Sequence, residues 1–510
     1  MKTRMMIVAL FLSALPAVLG AGEKAVPKGL EGGSPELMAV SAKVTTTKAP
    51  VEPAAEIAAR VKAWQAARFG MFIHWGAYSP LAGEWKGVPI PRNGEWIQYH
   101  ANVPNDEYAA AAKAFNPVKF NAAEWVAIAK AAGMKYIVIT AKHHDGFALF
   151  PSLHSEFTLQ KVTPFQRDPI KELADACREA GLGFGLYYSN DLDWHRSMWN
   201  NNNGVDLRRP PNRFYEATPG KSMGPDLARQ DAAKFDDYYR HQAIPQVREL
   251  LTNYGPLISL FFDGNPIAST VEQGVAMRAM IRELQPQVVI NNRLRSVPGD
   301  YFVYEQRVPP AADTQIWEGC MTMNGTWGFK KSDTNWKSTA QLIFTLVDIV
   351  SKGGNFLLNI GPTGEGIIPE ASVTRLKEIG DWLKVNGDAI YGAQRTAFGA
   401  EYGTNDTVRK DKAGKPVFNA QRDWRCTTKP PSTGSGQAGK LYIHVFNWPA
   451  TGKLELPAVT SKITGAYLLA DPAHKPLDFK QTAETVSVSL PGTAPDVLGS
   501  VLCMDVTNSQ

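Results

Sequence analysis

The stretch "NAAEWVAIAKAAGMKYIVITAKHHDG" (residues 121–146) contains one complete helix-and-strand unit and ends in a run of polar residues. Its first half has the apolar spacing of a helix, with Asn121 as the expected N-cap and Gly133 as the expected stop. The apolar run 136–140 that follows is typical of a strand buried on both faces. The unit therefore predicts a strand of a parallel sheet whose carboxyl end presents reactive side chains.

The same alternation recurs on both sides of this unit. Further strand candidates read "RFGMFIHWG", "LGFGLYYS", "LISLFFDG", "VVINNR", "DYFVYEQ" and "NFLLNIG". Helical segments such as "DPIKELADACREAG" separate them, and the longest, 232–255, contains Pro245, which predicts a kink. About seven or eight such units favour a (β/α)8-like TIM barrel. A doubly wound dinucleotide-binding sheet is disfavoured, because no GxGxxG follows the first strand.

The two ends of the chain differ from this central region. After about Arg395, short strands separated by Gly and Pro predict a C-terminal antiparallel β-sandwich. At the N-terminus, a basic start followed by "IVALFLSALPAVLG" is typical of a secretory signal peptide, so we expect an exported protein, periplasmic or secreted. The expected organisation is a signal peptide at 1–20, a linker at 21–55, a catalytic barrel at 56–393 and the sandwich at 394–510.

The composition argues against several classes of function. The formal net charge is +5 and the basic residues do not cluster, so no nucleic-acid partner is expected. No later segment reaches about 18 uninterrupted apolar residues, so no membrane span is expected. The four cysteines lie far apart, which favours isolated buried thiols, although a Cys426–Cys503 bridge remains an alternative.

Acidic side chains end two of the predicted strands. Asp263 ends the apolar run of "LISLFFDG", and Glu305 ends that of "GDYFVYEQ". Taken singly, Asp263 is also explained as a helix cap and Glu305 as a surface ion-pair partner. The carboxyl ends of barrel strands meet over one pocket, however, and two carboxyl groups there are the minimum equipment for cleaving a glycosidic bond.

The adjacent histidines His143 and His144 allow three interpretations: metal ligands, structural histidines, or hydrogen-bonding groups for a polar ligand. Neighbouring residues on a strand point to opposite faces, and neither HxH nor HExxH occurs, so a metal site is disfavoured. Neutral imidazoles can bind sugar hydroxyl groups. Tryptophans in or near the predicted loops support a sugar, because aromatic rings stack on its apolar face. These are Trp75, Trp85, Trp96, Trp194, Trp317 and Trp327.

Several segments resemble, in the same order, those of the α-L-fucosidases of glycoside hydrolase family 29. They are "RFGMFIHWGAYS", "GEWIQYH", "AKHHDGFALF", "GLYYS…DW", "LFFDG" and "GGNFLLNIGPTGEG", spanning about residues 66–392. The resemblance implies a barrel with a C-terminal β-sandwich. It also implies a retaining exo-hydrolase that releases terminal α-L-fucose from fucosylated oligosaccharides or glycoconjugates, without a metal or an organic cofactor.

The resemblance further implies roles for individual residues. Asp263 is expected to be the nucleophile, although "FFDG" stands where "WFDG" is more frequent in the family. Glu305 is the expected acid/base, with Glu318 in "IWEGC" as its competitor, because Tyr304 replaces the proline that precedes this glutamate in many relatives. The residues expected to bind fucose are His74, Glu95, Trp96, His143, His144, Tyr188 and Arg293.

Overall fold

The chain folds into a parallel sheet surrounded by helices, followed by antiparallel sheets, in a computed structural model. The structure describes residues 52–101, 103–196, 232–264, 269–294, 297–309, 315–399, 402–410, 414–430 and 439–507. The predicted signal peptide and nearly all of the predicted linker lie outside these ranges. The first helix begins at Ala54, just before the expected start of the catalytic domain.

Eight strands form the parallel sheet. They are β1 (Phe69–Ile73), β2 (Tyr136–Lys142), β3 (Gly183–Ser189), β4 (Ser259–Asp263), β5 (Val289–Ile290), β6 (Phe302–Glu305), β7 (Trp317–Thr322) and β8 (Asn355–Ile360). Their order is β5-β4-β3-β2-β1-β8-β7-β6, and every pairing is parallel. The two outer strands meet at a parallel bridge between Asn291 and Tyr301. The sheet is therefore curled, in an order consistent with a TIM-like barrel.

Helices lie around the sheet, across the amino ends of its strands and in its loops. They are α1 (Ala54–Ala67), α2 (Ile97–His100), α3 (Asn105–Ala112), α4 (Ala122–Ala131), α5 (Leu159–Val162), α6 (Pro169–Ala180), α7 (Ala232–Tyr238), α8 (Ile244–Asn253), α9 (Val271–Leu284), α10 (Thr339–Ser351) and α11 (Glu370–Asn386). The predicted N-cap is confirmed, since Asn121 accepts from the Glu124 amide at 3.2 Å. Gly133, just beyond α4, adopts a φ of +82°, as expected where a helix ends. None of the helices in the described ranges has the length and apolar character needed to cross a bilayer.

The helical segment 232–255 is interrupted ahead of its proline. A π-helical turn, Tyr239–Ala243, separates α7 from α8, and Pro245 is the second residue of α8. Proline has no amide proton to donate to the preceding turn, so the regular hydrogen-bond pattern cannot run through it. The disturbance predicted at Pro245 takes the form of this π-helical turn.

The inner and outer faces of the parallel sheet bury separate apolar layers. Phe72, Tyr187 and Phe261 belong to the inner layer, while alternate residues of the same strands pack outward against the helices. Trp64 of α1 joins the inner layer at the amino ends of the strands, where its ring lies 4.4 Å from that of Tyr301. The interior is thus filled with side chains, and space for a ligand is expected only at the carboxyl ends.

Antiparallel strands make up the C-terminal region. They are β9 (Gly403–Lys410), β10 (Pro416–Ala420), β11 (Trp424–Lys429), β12 (Gly439–Val445), β13 (Lys453–Pro457), β14 (Lys462–Leu468), β15 (Phe479–Gln481), β16 (Thr485–Ser489) and β17 (Ser500–Thr507). One sheet has the order β11-β12-β17-β14, a second has the order β13-β16-β15, and β9 and β10 form a hairpin. Apolar residues of the two larger sheets share one core, to which Ile443, Leu502 and Val486 belong.

All four cysteines are buried free thiols, so the alternative of a Cys426–Cys503 bridge is wrong. Cys426 pairs with Ile443 of β12, whereas Cys503 pairs with the neighbouring residue, Tyr442. Successive residues of a strand point to opposite faces. The two sulfur atoms therefore lie on opposite faces of the sheet.

Candidate active site

Two carboxylates from different strands share one arginine at the carboxyl end of the parallel sheet. Asp263 is the last residue of β4, and Glu305 is the last residue of β6. Arg293, in the 3-10 turn Asn292–Leu294 after β5, donates from Nη1 to Asp263 Oδ1 at 2.9 Å. Its Nη2 donates to Glu305 Oε2 at 2.5 Å. The two acids therefore border the same space.

The positive charge of Arg293 faces both of these acidic side chains. Burial lowers the pKa of Arg293, but the negative charges of Asp263 and Glu305 outweigh it, and the net pKa lies above the usual value. The guanidinium carbon also lies 5.7 Å from the ring centroid of Phe261. A permanently charged, buried fork of this kind holds both carboxylates in fixed orientations.

Tyr187 completes the surroundings of Asp263. Its hydroxyl donates to Asp263 Oδ2 at 2.9 Å, so each oxygen of the carboxylate has a donor. Burial and then the charge of Asp263 raise the pKa of Tyr187 well above its usual value, which keeps the hydroxyl a donor. The ring is stacked on His143, with centroids 5.5 Å apart. Tyr187 was not among the residues that the resemblance selected.

Tyr188, the tyrosine expected to bind the sugar, lies outside this group. Its hydroxyl donates to Gln246 Oε1 at 2.8 Å, and its ring belongs to the outer apolar layer. The register of β3 on β4 explains the difference, because Tyr187 pairs with Phe261 and Ser189 with Asp263. Alternate residues of a strand share a face, so Tyr187 lies on the inner side with Asp263 and Tyr188 does not.

His74 follows β1, and its hydrogen bonds define which ring nitrogen carries the proton. Asn359 donates its Nδ2 to the Trp327 carbonyl at 2.8 Å, which leaves its Oδ1 to accept from His74 Nδ1 at 2.7 Å. Nε2 of His74 therefore keeps a lone pair. The His74 ring lies 5.6 Å from that of His143, so it belongs to the same group.

His144 has the same arrangement. The Ser189 hydroxyl donates to the Leu192 carbonyl at 3.0 Å, so it accepts from His144 Nδ1 at 2.7 Å. Nε2 of His144 again carries the lone pair, and it lies 3.7 Å from Asp263 Oδ2. That separation is too long for a direct hydrogen bond. A ligand hydroxyl placed here would donate to His144 Nε2.

All three histidines are neutral near pH 7. Burial, partly opposed by Asp263, lowers the pKa of His74 to about 3 and that of His144 to about 4. Burial and then the neighbouring His144 lower the pKa of His143 well below its usual value. Nδ1 of His143 has no hydrogen-bond partner among the described residues. Within the same ranges, no three His, Cys, Asp or Glu side chains are grouped so as to hold a metal ion.

Glu95 lies beside this group and is bound to the loop that follows β7. It belongs to the 3-10 turn Gly94–Trp96, and its Oε2 accepts from the Gly328 amide at 2.8 Å and the Thr326 hydroxyl at 3.3 Å. The residue between these two donors, Trp327, has its ring 5.0 Å from that of His74. Glu95 therefore holds the segment that brings Trp327 against the histidines.

Aromatic side chains form the wall beside His144. Trp96 meets the His144 ring edge-on at 5.4 Å and the Trp194 ring at 5.2 Å. The loop prediction was accurate for Trp96, Trp194 and Trp327, whose rings all contact the histidines. Trp75 and Trp85 also lie in the segment that follows β1, but their rings pack in the outer apolar layer. The prediction was wrong for Trp317, which is the first residue of β7.

The alternative acid, Glu318, lies deeper in the sheet. It is near the start of β7 and pairs with Asn355, the first residue of β8. Its Oε1 accepts from the hydroxyl of Tyr136, the first residue of β2, at 2.6 Å. Burial raises the pKa of Glu318 to about 8, with the Tyr136 hydroxyl partly opposing this. Glu318 is therefore near the amino ends of the strands, whereas Asp263 and Glu305 are at the carboxyl ends.

These groups can perform one kind of chemistry together. Two carboxylates, neutral imidazoles and indole rings at the end of a curled parallel sheet suit the cleavage of a bond between sugars, which defines the class as a glycoside hydrolase. Within that class, the chain belongs to the α-L-fucosidase family, whose model matches residues 37–388. The resemblance to glycoside hydrolase family 29 is thereby confirmed.

Individual relatives support this assignment. Rat (Rattus norvegicus) plasma α-L-fucosidase is 32% identical over 411 residues, which are 76% of this chain and 78% of the relative. α-L-Fucosidase isoenzyme 1 from Paenibacillus thiaminolyticus has a TM-score of 0.69 and 32% identity, over 89% of this chain and 100% of its own. A Bacteroides thetaiotaomicron enzyme, solved as a trapped covalent intermediate with 2-fluoro-fucosyl fluoride, has a TM-score of 0.71 and 27% identity, over 91% and 98%.

Proposed function

We propose that this chain is a retaining exo-α-L-fucosidase that removes terminal α-L-fucose from fucosylated glycans. The observation that carries the proposal is the single guanidinium of Arg293 bound to both Asp263 and Glu305. Retaining glycosidases need two carboxyl groups about 5–5.5 Å apart, one on each side of the bond to be cleaved. The covalent intermediate trapped in the Bacteroides relative supports the same stereochemical course.

Asp263 is the proposed nucleophile and Glu305 the proposed acid/base. In the first step, Asp263 attacks the anomeric carbon, the glycosidic bond breaks, and Glu305 gives its proton to the departing oxygen. In the second step, Glu305 takes a proton from water, the water oxygen attacks the same carbon, and the bond to Asp263 breaks. Fucose leaves with its original anomeric configuration, and both acids return to their starting states.

The remaining residues of the group are proposed to bind fucose. Nε2 of His74 and Nε2 of His144 would each accept a hydrogen bond from a sugar hydroxyl, because each Nδ1 already donates within the protein. We retain His143, Glu95 and Trp96 as binding residues, and Arg293 and Tyr187 as the donors that orient the nucleophile. Tyr187 takes the place of Tyr188 in this proposal. Contacts that tighten in the transition state would raise the rate rather than affinity alone.

The proposal also covers the two domains of the chain and their limits. We infer that the bridge between Asn291 and Tyr301 closes the sheet into a (β/α)8-like barrel, and that the shared core makes the C-terminal sheets a β-sandwich. The domain limits 56–393 and 394–510 remain our proposal, as does export directed by residues 1–20. No metal or organic cofactor is assigned a role.

Replacing the proposed nucleophile tests the reaction most directly. Asp263→Gly should lower the turnover of an aryl α-L-fucoside by at least about a thousandfold, because the covalent step is lost. Added azide should partly restore turnover and give a fucosyl azide of inverted configuration, since it attacks from the space that Asp263 occupied. A variant that hydrolyses the fucoside at the wild-type rate would refute the assignment.

Replacing the proposed acid/base gives a different signature. Glu305→Ala should slow the release of fucose from an oligosaccharide far more than from a fucoside with a good leaving group, which needs little protonation. Glu318→Gln should leave both rates near those of the wild type. Equal losses on the two substrates for Glu305→Ala, or a selective loss for Glu318→Gln, would transfer the role to Glu318.

A further inference from the structure

Five polar or amphipathic side chains lie together inside the sheet near the amino ends of its strands, at the end opposite the proposed fucose site. Tyr136, Glu318 and Asn355 are at the starts of β2, β7 and β8, Tyr301 directly precedes β6, and Trp64 belongs to α1. Each is at most 1% exposed. None has a role in the proposed reaction, so polar groups at this depth need another explanation.

Contacts and strand alternation place these side chains in one group. The rings of Trp64 and Tyr301 lie 4.4 Å apart, and Asn355 donates from Nδ2 to the Trp64 carbonyl at 2.7 Å. Glu318 pairs with Asn355 across the sheet, and its Oε1 accepts from the Tyr136 hydroxyl at 2.6 Å. Glu318 and Asn355 each stand two positions from a residue of the inner layer, so their side chains share the inner face.

Four atoms of the group have no hydrogen-bond partner among the residues that the structure describes. They are Trp64 Nε1, Tyr301 Oη, Glu318 Oε2 and Asn355 Oδ1. The great majority of buried polar groups in folded proteins are paired, and an unpaired one destabilises the fold. Four such atoms in a single group therefore indicate a bound polar species that pairs with them.

The donors and acceptors of the group define the chemical class of that species. The indole N–H of Trp64 can only donate, which opposes a cation. Asn355 Oδ1 can only accept, which opposes an anion, and the bond from Nδ2 to the Trp64 carbonyl fixes this orientation of the amide. A neutral molecule that both donates and accepts suits both atoms. A buried water molecule does so, typically with about two to four hydrogen bonds.

The carboxyl group of Glu318 is compatible with a neutral species. Burial raises the pKa of Glu318 to about 8, partly opposed by the hydroxyls of Tyr136 and Tyr301. Near pH 7 the group is therefore protonated, and Oε2 can donate because Oε1 accepts from Tyr136. Once the group is ionised, Oε2 can accept instead. A water molecule can turn to pair with either form.

Solvent reaches the outer side of this group. A surface cavity of about 520 Å³ lies between α1, the start of β3 and the segment 254–258, and Trp64 is part of its lining. The same side chain belongs to the buried group, so one layer separates the group from the cavity. A small molecule such as water could exchange there when Trp64 moves.

We infer that these four atoms bind one buried water molecule, which links α1 to the starts of β6, β7 and β8. The inference does not rest on the proposed function, because none of the residues belongs to the proposed fucose site. It predicts that the Tyr301 hydroxyl stabilises the fold through the water.

Unfolding of two matched variants tests this. Tyr301→Phe deletes the hydroxyl that would bond to the water, whereas Tyr136→Phe deletes a hydroxyl of the same layer that bonds directly to Glu318. Each should raise the equilibrium constant for unfolding in urea about three- to tenfold, because a hydrogen bond is lost. Without a bound water, Tyr301→Phe would remove an unpaired polar group and lower that constant. A constant for Tyr301→Phe at or below that of the wild type would overturn the inference.

A crystal structure of the wild-type protein, at a resolution that orders internal solvent, tests the site directly. Density for a water molecule should lie within about 2.7–3.2 Å of at least three of the four atoms. Density that meets fewer than three of them, no density, or an ion identified by its anomalous signal would overturn the inference.

Discussion

Tyr187 and Tyr188 are adjacent on β3, yet their hydroxyl groups serve different purposes. Tyr187→Phe removes the donor to Asp263 Oδ2, and Tyr188→Phe removes the donor to Gln246. A hydrogen bond to a charged group contributes about 1.5–3 kcal/mol, so we expect Tyr187→Phe to lower kcat/KM for an aryl fucoside about ten- to a hundredfold. Tyr188→Phe should cost about 1 kcal/mol of unfolding free energy and leave kcat/KM within twofold of the wild type.

The two variants are controls for each other, because both delete one buried hydroxyl from the same strand. Steady-state kinetics and urea unfolding of both proteins check the prediction. Equal kinetic losses would mean that the inner and outer positions on β3 do not differ in function. A larger loss for Tyr188→Phe would return the sugar-binding role to Tyr188.

Sequence reasoning at the residue scale found the strand ends but not the directions of side chains. Asp263, Glu305 and Arg293 were predicted from their places after apolar runs and from the family motifs, and the structure brings them together. The choice between Tyr187 and Tyr188 depends on strand register, which is a tertiary property. The two adjacent histidines converge because β2 ends at Lys142, so the alternation of faces no longer applies, and their rings lie 4.2 Å apart.

At the scale of elements, a buried ion pair joins the end of β2 to the segment 190–196. Lys142 Nζ lies 3.2 Å from Asp193 Oδ2 and 3.0 Å from the Tyr238 hydroxyl, and both charged side chains are almost completely buried. The same segment is bound to the histidine pair by the Trp194 amide, which donates to the His144 carbonyl at 2.8 Å. This arrangement makes Lys142 a positioning residue for the wall beside His144.

Lys142→Met should therefore weaken substrate binding as well as the fold. Removing one partner of a buried pair costs about 3–5 kcal/mol, because the other charge is left uncompensated. We expect this loss in urea unfolding, together with a severalfold rise in KM for an aryl fucoside. Lys352→Met removes a buried lysine that lies 3.2 Å from Asp348, while Arg425 remains 2.5 Å from the same carboxylate. It should therefore lower stability by less and leave KM unchanged. A rise in KM that is the same in both variants would contradict the positioning role.

The elements themselves were predictable to different degrees. Helix α4 followed from its N-cap, its glycine and its apolar spacing, all of which are local signals. The interruption of the segment 232–255 was expected at Pro245, but its form, the turn Tyr239–Ala243, depends on hydrogen bonds within the folded helix. β5 has only two residues in regular pairing, Val289 and Ile290. The apolar run of "VVINNR" predicted a strand here, but the length of the paired part depends on β4 and could not be read from the sequence.

At the scale of the whole molecule, the C-terminal sheets are tied to the helices of the parallel sheet by buried polar contacts. Arg425 of β11 donates to Asp348 of α10 at 2.5 Å, and Trp382 of α11 donates to the Gly499 carbonyl at 2.7 Å. These contacts favour a bracing role for the C-terminal region. Neither they nor the bridge that joins the two ends of the parallel sheet could be predicted from sequence, because both depend on residues far apart along the chain.

The stability of the whole molecule should depend on the protonation of Glu318, which is buried near the amino ends of the strands. Burial raises the pKa of Glu318 from its ordinary value of 4.5 to about 8, while in the unfolded chain the ordinary value applies. Protonated Glu318 makes its full contribution to the free energy of unfolding below about pH 4.5. The contribution declines as the pH rises to about 8, because the unfolded chain then loses a proton that the folded chain keeps. One pKa unit corresponds to about 1.4 kcal/mol, so the decline is about 5 kcal/mol at most.

Glu318→Gln removes this dependence while keeping the shape of the side chain and a carbonyl acceptor for the Tyr136 hydroxyl. Urea unfolding between pH 5 and pH 8 should show the wild type losing stability relative to the variant as the pH rises. Glu365→Gln, at an exposed glutamate paired with Lys119, should follow the wild-type curve. Parallel curves for the wild type and Glu318→Gln would show that the Glu318 carboxyl has the same pKa in the folded and unfolded chains. The inference that burial keeps Glu318 protonated in the folded chain would then be refuted.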